Sequence, residues 1–278
     1  MAELRHHRLA RDTAEVAGPE AAAYLQGQLS QDVAGLGVGE SAWAWLLAPQ
    51  GKVDALVRVA RAGDDAFVLD TDPGWGEAVV QRLTRFKLRT RADITAGRLE
   101  VLAVRGEGAG AALPAGGRGL RPLWGGEEAV DLVGDAAAGA GAPGVGPALD
   151  DAAWEAARIT AGVPVMGAEL TEKTIPAETG LVPLTVSFTK GCYTGQELVA
   201  RIDSRGGNVP RHLRLLRSAT PLAAGTELTV GGKVVGTVTS ASPLGPVALG
   251  YVGRAVEPGA SVDAGGVPAE VTALPARG

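Results

Sequence analysis

Lys190-Gly-Cys-Tyr-Thr-Gly-Gln-Glu197 is the stretch from which the rest of the chain can be read. It holds the only cysteine, Cys192, between two glycines that free the backbone around it, and the spacing predicts a helix beginning over Gln196 to Ala200. A thiol at a helix entrance, two residues from Lys190, sits where free amide groups and a neighbouring cation favour the thiolate. Taken without its neighbours, a lone cysteine is more often a small, inert, buried hydrophobe. A histidine-activated nucleophile finds no support. His6 and His7 belong to a basic, solvated terminus, and His212, between Arg211 and Leu213 at a strand start, is expected to face water.

Working outward, the texture beyond Pro210 becomes short alternating runs at 213–216, 227–230, 233–240, 247–252 and 269–274. Turns such as Gly231-Gly232, Ser242-Pro243 and Pro258-Gly259 separate them. That pattern predicts a small antiparallel barrel or sandwich, with a boundary near Asn208. On the other side, Asp150 has the form of an N-cap for a helix that ends near Gly162-Val-Pro164. Further back, a short helix follows Pro19, strands are expected at 42–48, 52–60 and 66–70, and Asp72-Pro73 reads as the cap of a helix to Phe86. Strands at 88–94 and 99–104 come next. The stretch 106–149 is the least patterned, with short strands near 120–124 and 129–133 and then a loose connector through Ala136 to Pro143. Strands and helices alternating in this way indicate an α+β fold. Trp43 and Trp45, two apart, share one strand face and are expected to fill a core, while Arg82, Arg85, Lys87, Arg89 and Arg91 read as a solvated basic face.

Composition bounds the partners. With 46% hydrophobic residues in 278, the chain buries a large core and is long enough for two or three domains. A net charge of -5 provides no field that would gather a nucleic-acid backbone, so small molecules or proteins are the expected partners and direct nucleic-acid binding is not. The charged amino terminus and the lack of a long apolar run argue for a cytoplasmic protein that does not enter membranes. One cysteine and three histidines exclude an intrachain disulfide and leave too few soft ligands for a metal site within the chain.

The run Lys190 to Glu197, with Arg201 behind it, resembles the K-G-C-Y-x-G-Q-E signature of the YgfZ family of folate-binding proteins, relatives of the glycine cleavage system aminomethyltransferase (T-protein). The resemblance continues through Tyr24-Leu-Gln-Gly-Gln-Leu-Ser-Gln-Asp-Val33, the Gly51-Lys52 turn, Arg158 to Gly167 and Ile175-Pro-Ala-Glu178, and is weakest over 106–150. It implies a T-protein-like ring of three subdomains, two of them α+β and the third a C-terminal antiparallel β-barrel. Residues 1–207 would form the folate-binding region, with 1–41 and 150–207 as one discontinuous subdomain and 42–149 inserted, and 208–278 the barrel.

The resemblance further implies a tetrahydrofolate-binding protein that supports iron-sulfur cluster assembly or repair, and through it cluster enzymes such as tRNA-modifying ones. Iron-sulfur enzymes or cluster-assembly proteins would be the partners. Cys192 would be the functional thiol, with Lys190 beside it. Glu178 would hold the pterin, because a carboxylate accepts two parallel hydrogen bonds from its 2-amino and ring N–H groups. Tyr193, Gln196, Glu197 and Arg201 complete the implied cofactor set, although Arg201 can equally pair with Glu197 one helical turn away. One departure matters. Where the T-protein carries a catalytic aspartate pair beyond its glycine turn, this chain has Ala55 and Leu56, and Asp54 falls one place early. An aminomethyl-type, folate-dependent one-carbon transferase is therefore the alternative, and enzymatic activity stays open.

Overall fold

Strand β1 (Arg5–Ala17), which the sequence reading passes over as a terminus, lies in the middle of the main sheet of the computed structural model, which describes residues 4–112, 118–124, 128–135 and 146–276. The sheet has seven strands in the order β2-β3-β4-β1-β5-β7-β6: β2 Ser41–Leu47, β3 Val53–Gly63, β4 Ala66–Thr71, β5 Asp93–Arg105, β6 Arg118–Leu120 and β7 Ala129–Val133. β1 pairs antiparallel with β5 along its whole length, from Arg5 opposite Arg105 to Ala17 opposite Asp93, but meets β4 only from Asp12 onward. Its apolar positions are sparse because its charged side chains find partners on other strands, as Arg11 does with Asp70 and Asp72. Alternation of apolar residues, the usual strand signal, is correspondingly faint. β5 contains the strand expected at 99–104 but only the last two residues of the one expected at 88–94, because 88–92 form the turn that leaves α2, and the connector expected through Ala136 to Pro143 lies outside the described residues.

The α-helices lying wholly within the described residues are α1 (Ala21–Gln28), α2 (Gly76–Lys87), α3 (Asp151–Thr160), the single turn α4 (Val182–Thr185) and α5 (Gln196–Ser204). α3 starts as expected, with the Asp150 carboxylate accepting from the Ala153 N–H. α2 does not. Asp72 is engaged by Arg11 and by the Met166 N–H, and the carboxylate that accepts from Gly74 and Gly76 at the helix entrance is Asp12 of β1. A cap supplied from another strand leaves no local signature. Nor is the basic run wholly solvated: Arg82 donates to Asp54 at 2.8 Å, to Gln28 and to the Leu47 carbonyl, tying α2 to the sheet.

Strands β8 (Arg211–Ser218), β9 (Glu227–Val230), β10 (Lys233–Ala241), β11 (Val247–Gly253), β12 (Ser261–Ala264) and β13 (Val267–Thr272) close into a barrel in the order β10-β11-β8-β13-β12-β9. Closure pairs every edge. Leu216, Val238, Val252 and Val271 fill the barrel, while Leu213, Leu215, Leu249 and Tyr251 on its outside pack on Ile159 of α3. The main core of the rest runs from Val16 and Leu25 through Trp45 and Leu56 to Leu181, Tyr193 and Val199, with smaller clusters around Leu102 and Leu132 and around Val101 and Val133. Of the first 41 residues, β1 belongs to the same sheet as strands β2 to β7, whereas residues 26–31 meet the segment 184–194.

Candidate functional site

Two places concentrate unusual chemistry, and the first is the cysteine loop. The Lys190 ammonium donates to the carbonyls of Gln26 at 2.5 Å, Leu29 at 2.6 Å and Gln31 at 3.0 Å, at the end of α1 and just beyond it. An ammonium has three donors, and all of them are used here. Burial pushes its pKa down to about 8, against the pull of Asp32. Beneath it the Tyr193 ring, 5.1 Å away, is part of the core, and burial raises its hydroxyl to about 12. The Thr194 N–H donates to Gly27 at 3.1 Å, and the Tyr193 N–H to the Gln196 side chain at 3.1 Å.

The two glycines that face each other across this junction have a steric reason. Gly51, at φ +79°, sits in the turn between β2 and β3, and a Cβ there would lie 2.5 Å from that of Leu198. Gly195, at φ +82°, would place a Cβ 2.5 Å from the Ala48 carbonyl oxygen. Only glycine combines that backbone with so close an approach. The strand turn therefore presses directly on the entrance of α5. Lys190, Tyr193, Thr194, Gly195 and Gln196 thus hold the loop inward, and Gly191, Cys192, Glu197 and Arg201 are left exposed at the surface. Glu197 and Arg201 make no ion pair with each other among the described residues.

Glu178 stands elsewhere. Its carboxylate is 3% exposed, accepting from the Ile175 N–H at 3.1 Å through one oxygen and from the Arg211 guanidinium at 3.1 Å through the other. Arg211 in turn lies 4.1 Å from the Tyr251 ring. This carboxylate joins the turn at 176–179 to the barrel, and each of its oxygens already accepts one hydrogen bond from protein.

The second place is a cavity of about 310 Å³ against one face of the sheet. Cross-strand pairing brings a line of charges onto that face: Arg58 donates to Asp70 at 2.8 Å and to Asp131 at 2.6 Å, Arg11 to Asp70 at 2.9 Å and to Asp72, and Arg105 to Asp131 at 2.8 Å. Three arginines and three aspartates balance. Burial works against the charge on Arg58, but Asp70 and Asp131 outweigh it and raise its pKa; burial likewise works against the charge on Asp131, which Arg105 and Arg58 hold below the usual carboxylate range. Over this lattice stand three tryptophans. Trp43 lies 5.3 Å from the Arg58 guanidinium, and Arg105 sits 4.9 Å from Trp124 and 5.4 Å from Trp154. His7, expected to be solvated, stacks on Trp154 at 4.9 Å and 14°. Trp45 is fully buried as expected, whereas Trp43 both joins the core and lines the cavity.

Neither the charge lattice nor the three tryptophans carry a sequence motif; Arg158, Val163, Pro164 and Val165, which also line the cavity, lie in the stretch Arg158 to Gly167 that carries the family resemblance. The one available signal was Arg58, a cation inside the apolar run Val53 to Ala60, where a lone charge needs a buried partner. The two places are connected by β2, which brings Trp43 to the cavity and Leu47 to Gly195, a separation of about 14 Å along an extended strand. Among the described residues no cluster of side chains is suited to hold a metal ion, and no helix is long and apolar enough to cross a membrane.

No family model matches the chain. It is 33% identical over 219 residues to the tRNA-modifying protein YgfZ of an Enterobacter species, covering 70% of this chain and 66% of that protein. It is also 29% identical over 235 residues to an uncharacterised protein of Haemophilus influenzae, covering 82% of this chain and 80% of that one. Among solved structures, the glycine cleavage system aminomethyltransferase T from Bartonella henselae superposes with a TM-score of 0.81 at 23% identity, over 99% of this chain and 86% of that one. The fold is that of the T-protein.

Proposed function

This chain belongs to the YgfZ family, and we propose that it binds a tetrahydrofolate in the tryptophan-walled cavity while presenting Cys192 as a functional thiol at the surface. The observation that carries the proposal is the cavity itself. Trp43, Trp124 and Trp154 offer flat apolar faces to a planar ring, and a fixed lattice of paired charges beneath them offers oriented polar groups. At about 310 Å³ the space is at the small end for ligand pockets, which suits a ring system whose tail extends outside. Bound tetrahydrofolate supplies a carrier of one-carbon units. The chain's residues enclose its ring and exclude water from it. Glu178, with both oxygens engaged, is assigned to holding the barrel rather than the pterin.

Cys192 lies on a loop fixed from beneath by Lys190 and Gly195, so the thiol is offered outward in one place. A single thiolate is one ligand of the several that an iron-sulfur cluster takes, and a partner would supply the others. Support of cluster assembly or repair in such a partner is the role we assign to it. The aminomethyl-transfer alternative gains no observation. Asp70, Asp72 and Asp131 are tied to arginines, and Asp54 faces α2, where it binds Arg82, so these carboxylates are not free to move a proton at a folate nitrogen.

Titration with tetrahydrofolate, followed by tryptophan fluorescence, tests the reading. Saturable quenching is expected in the wild type and reduced affinity in Trp154→Leu. A folded wild-type protein whose fluorescence does not respond would remove the cofactor from the account.

A further inference from the structure

The edge of β1 that faces the cavity is interrupted. Above the cavity, the His6 N–H donates to the Pro147 carbonyl and the Leu149 N–H to the His6 carbonyl. Below it, pairing with β4 starts at Asp12 opposite Thr71. In an antiparallel strand the N–H and C=O of one residue point to the same side, and successive residues alternate sides. His6 and Asp12 use that edge, so Arg8 and Ala10 present their N–H and C=O groups to it as well, while His7, Leu9 and Arg11 serve the ladder with β5. Arg8 and Ala10 line the cavity, and no hydrogen bond from their edge-facing groups to a described residue exists. Their side chains do not account for that lining. Pairing with Leu102 and Glu100 puts them on the face of the sheet opposite to the charge lattice.

Resting on the folate reading, we propose that this two-residue gap is the element that recognises the ligand's ring, by backbone hydrogen bonds rather than by a side chain. Each of Arg8 and Ala10 offers one donor beside one acceptor, and the two sets lie about 7 Å apart along the strand. A 2-amino-4-oxopyrimidine edge, with acceptor and donors alternating around one ring, is the chemical class that matches such a pattern. The tryptophans confine the ring to the plane in which its edge meets the strand. Arg8 and Ala10 are exposed, so water meets their edge groups in the free protein; a ring that replaces those bonds gains specificity over an apolar ring of the same size, which would leave them unmade. The recognition leaves no residue signature, because any side chain can stand at positions 8 and 10.

Amide hydrogen exchange resolved by residue, on the full chain with and without saturating tetrahydrofolate, tests this directly. Without ligand the amides of Arg8 and Ala10 should exchange faster than those of Leu9 and Arg11. With ligand they should slow by about tenfold or more while Leu9 and Arg11 stay unchanged. Equal protection of all four in the free protein, or quenched tryptophans with Arg8 and Ala10 still fast, overturns the proposal. If tetrahydrofolate leaves both fluorescence and exchange unaltered, the folate reading fails and the ring is overturned as occupant. Ala10→Pro removes one edge-facing donor that the sheet does not use; it should fold and bind about 2- to 10-fold more weakly, the worth of one hydrogen bond. Unchanged affinity in that folded variant also counts against the proposal.

Discussion

The cysteine loop and the cavity solve opposite problems with the same kinds of residue. In the loop, polar groups turn inward: Lys190 is buried against carbonyls, Gln196 closes on the Tyr193 N–H, and what remains outside is a thiol. In the cavity, ionised side chains pair with one another within the wall, as Arg58 does with Asp70 and Asp131, and what remains facing the space is aromatic surface and bare backbone. A fixed site can therefore be built by hiding the charges that hold it, and the group left over is the one available for chemistry. In the loop that group is an exposed thiol, which we propose as the functional one; in the cavity it is the surface we propose for recognition.

The comparison breaks most visibly if the lattice is cut. Arg58→Met leaves Asp70 and Asp131 each with one arginine in a site where Arg58 is 1% exposed, and unfolding in urea should show a loss of about 3–5 kcal/mol. Alkylation of Cys192 in the folded variant should keep its wild-type rate. Next in size is Gly195→Ala, which forces a side chain into positive φ and against the Ala48 carbonyl. A loss of about 1–3 kcal/mol is expected, together with faster proteolysis of the 188–196 loop, and tetrahydrofolate affinity should not change. Smaller again is the effect of Glu178→Gln, which weakens the link to Arg211: the barrel should loosen, seen as faster amide exchange in β8, with folate affinity retained.

The subtlest effect is one of pH. Lys190 has a folded-state pKa of about 8 against 10.5 ordinarily, so between those values the unfolded chain binds more protons than the folded one. The contribution of Lys190 to stability is lowest below about pH 8 and rises with pH across that window. Measured against Lys190→Met, the wild type should gain stability from pH 8 to 10.5. A constant difference would mean that the ammonium is not desolvated.

How much of this was legible in the sequence follows from the same contrast. Residues 190–197 are consecutive, and each meets a local demand, such as a positive φ at 195 or a helix entrance at 196, so order along the chain preserves the signal. The barrel was legible for a similar reason, because its turns recur at short intervals. The cavity draws on β1, β2, β3, β5, β7 and α3, and the partners in its charge lattice lie far apart in the chain, 73 residues for Arg58 and Asp131, so no local pattern records that lattice. β1 itself was hidden because its charged residues are matched across the sheet rather than along the chain. Asp72 shows the reverse error. It has the form of a cap, but Arg11 and Met166 hold it, and the work at the helix entrance falls to Asp12, 62 residues from Gly74.

The separation of the two places is the central claim, and tetrahydrofolate affinity measured by calorimetry for the wild type, Cys192→Ala and Trp43→Leu tests it most directly. The account predicts that Cys192→Ala binds as the wild type does and that Trp43→Leu binds at least about tenfold more weakly. Loss of binding in a folded Cys192→Ala protein, with Trp43→Leu unaffected, would place the folate at the loop and contradict the account.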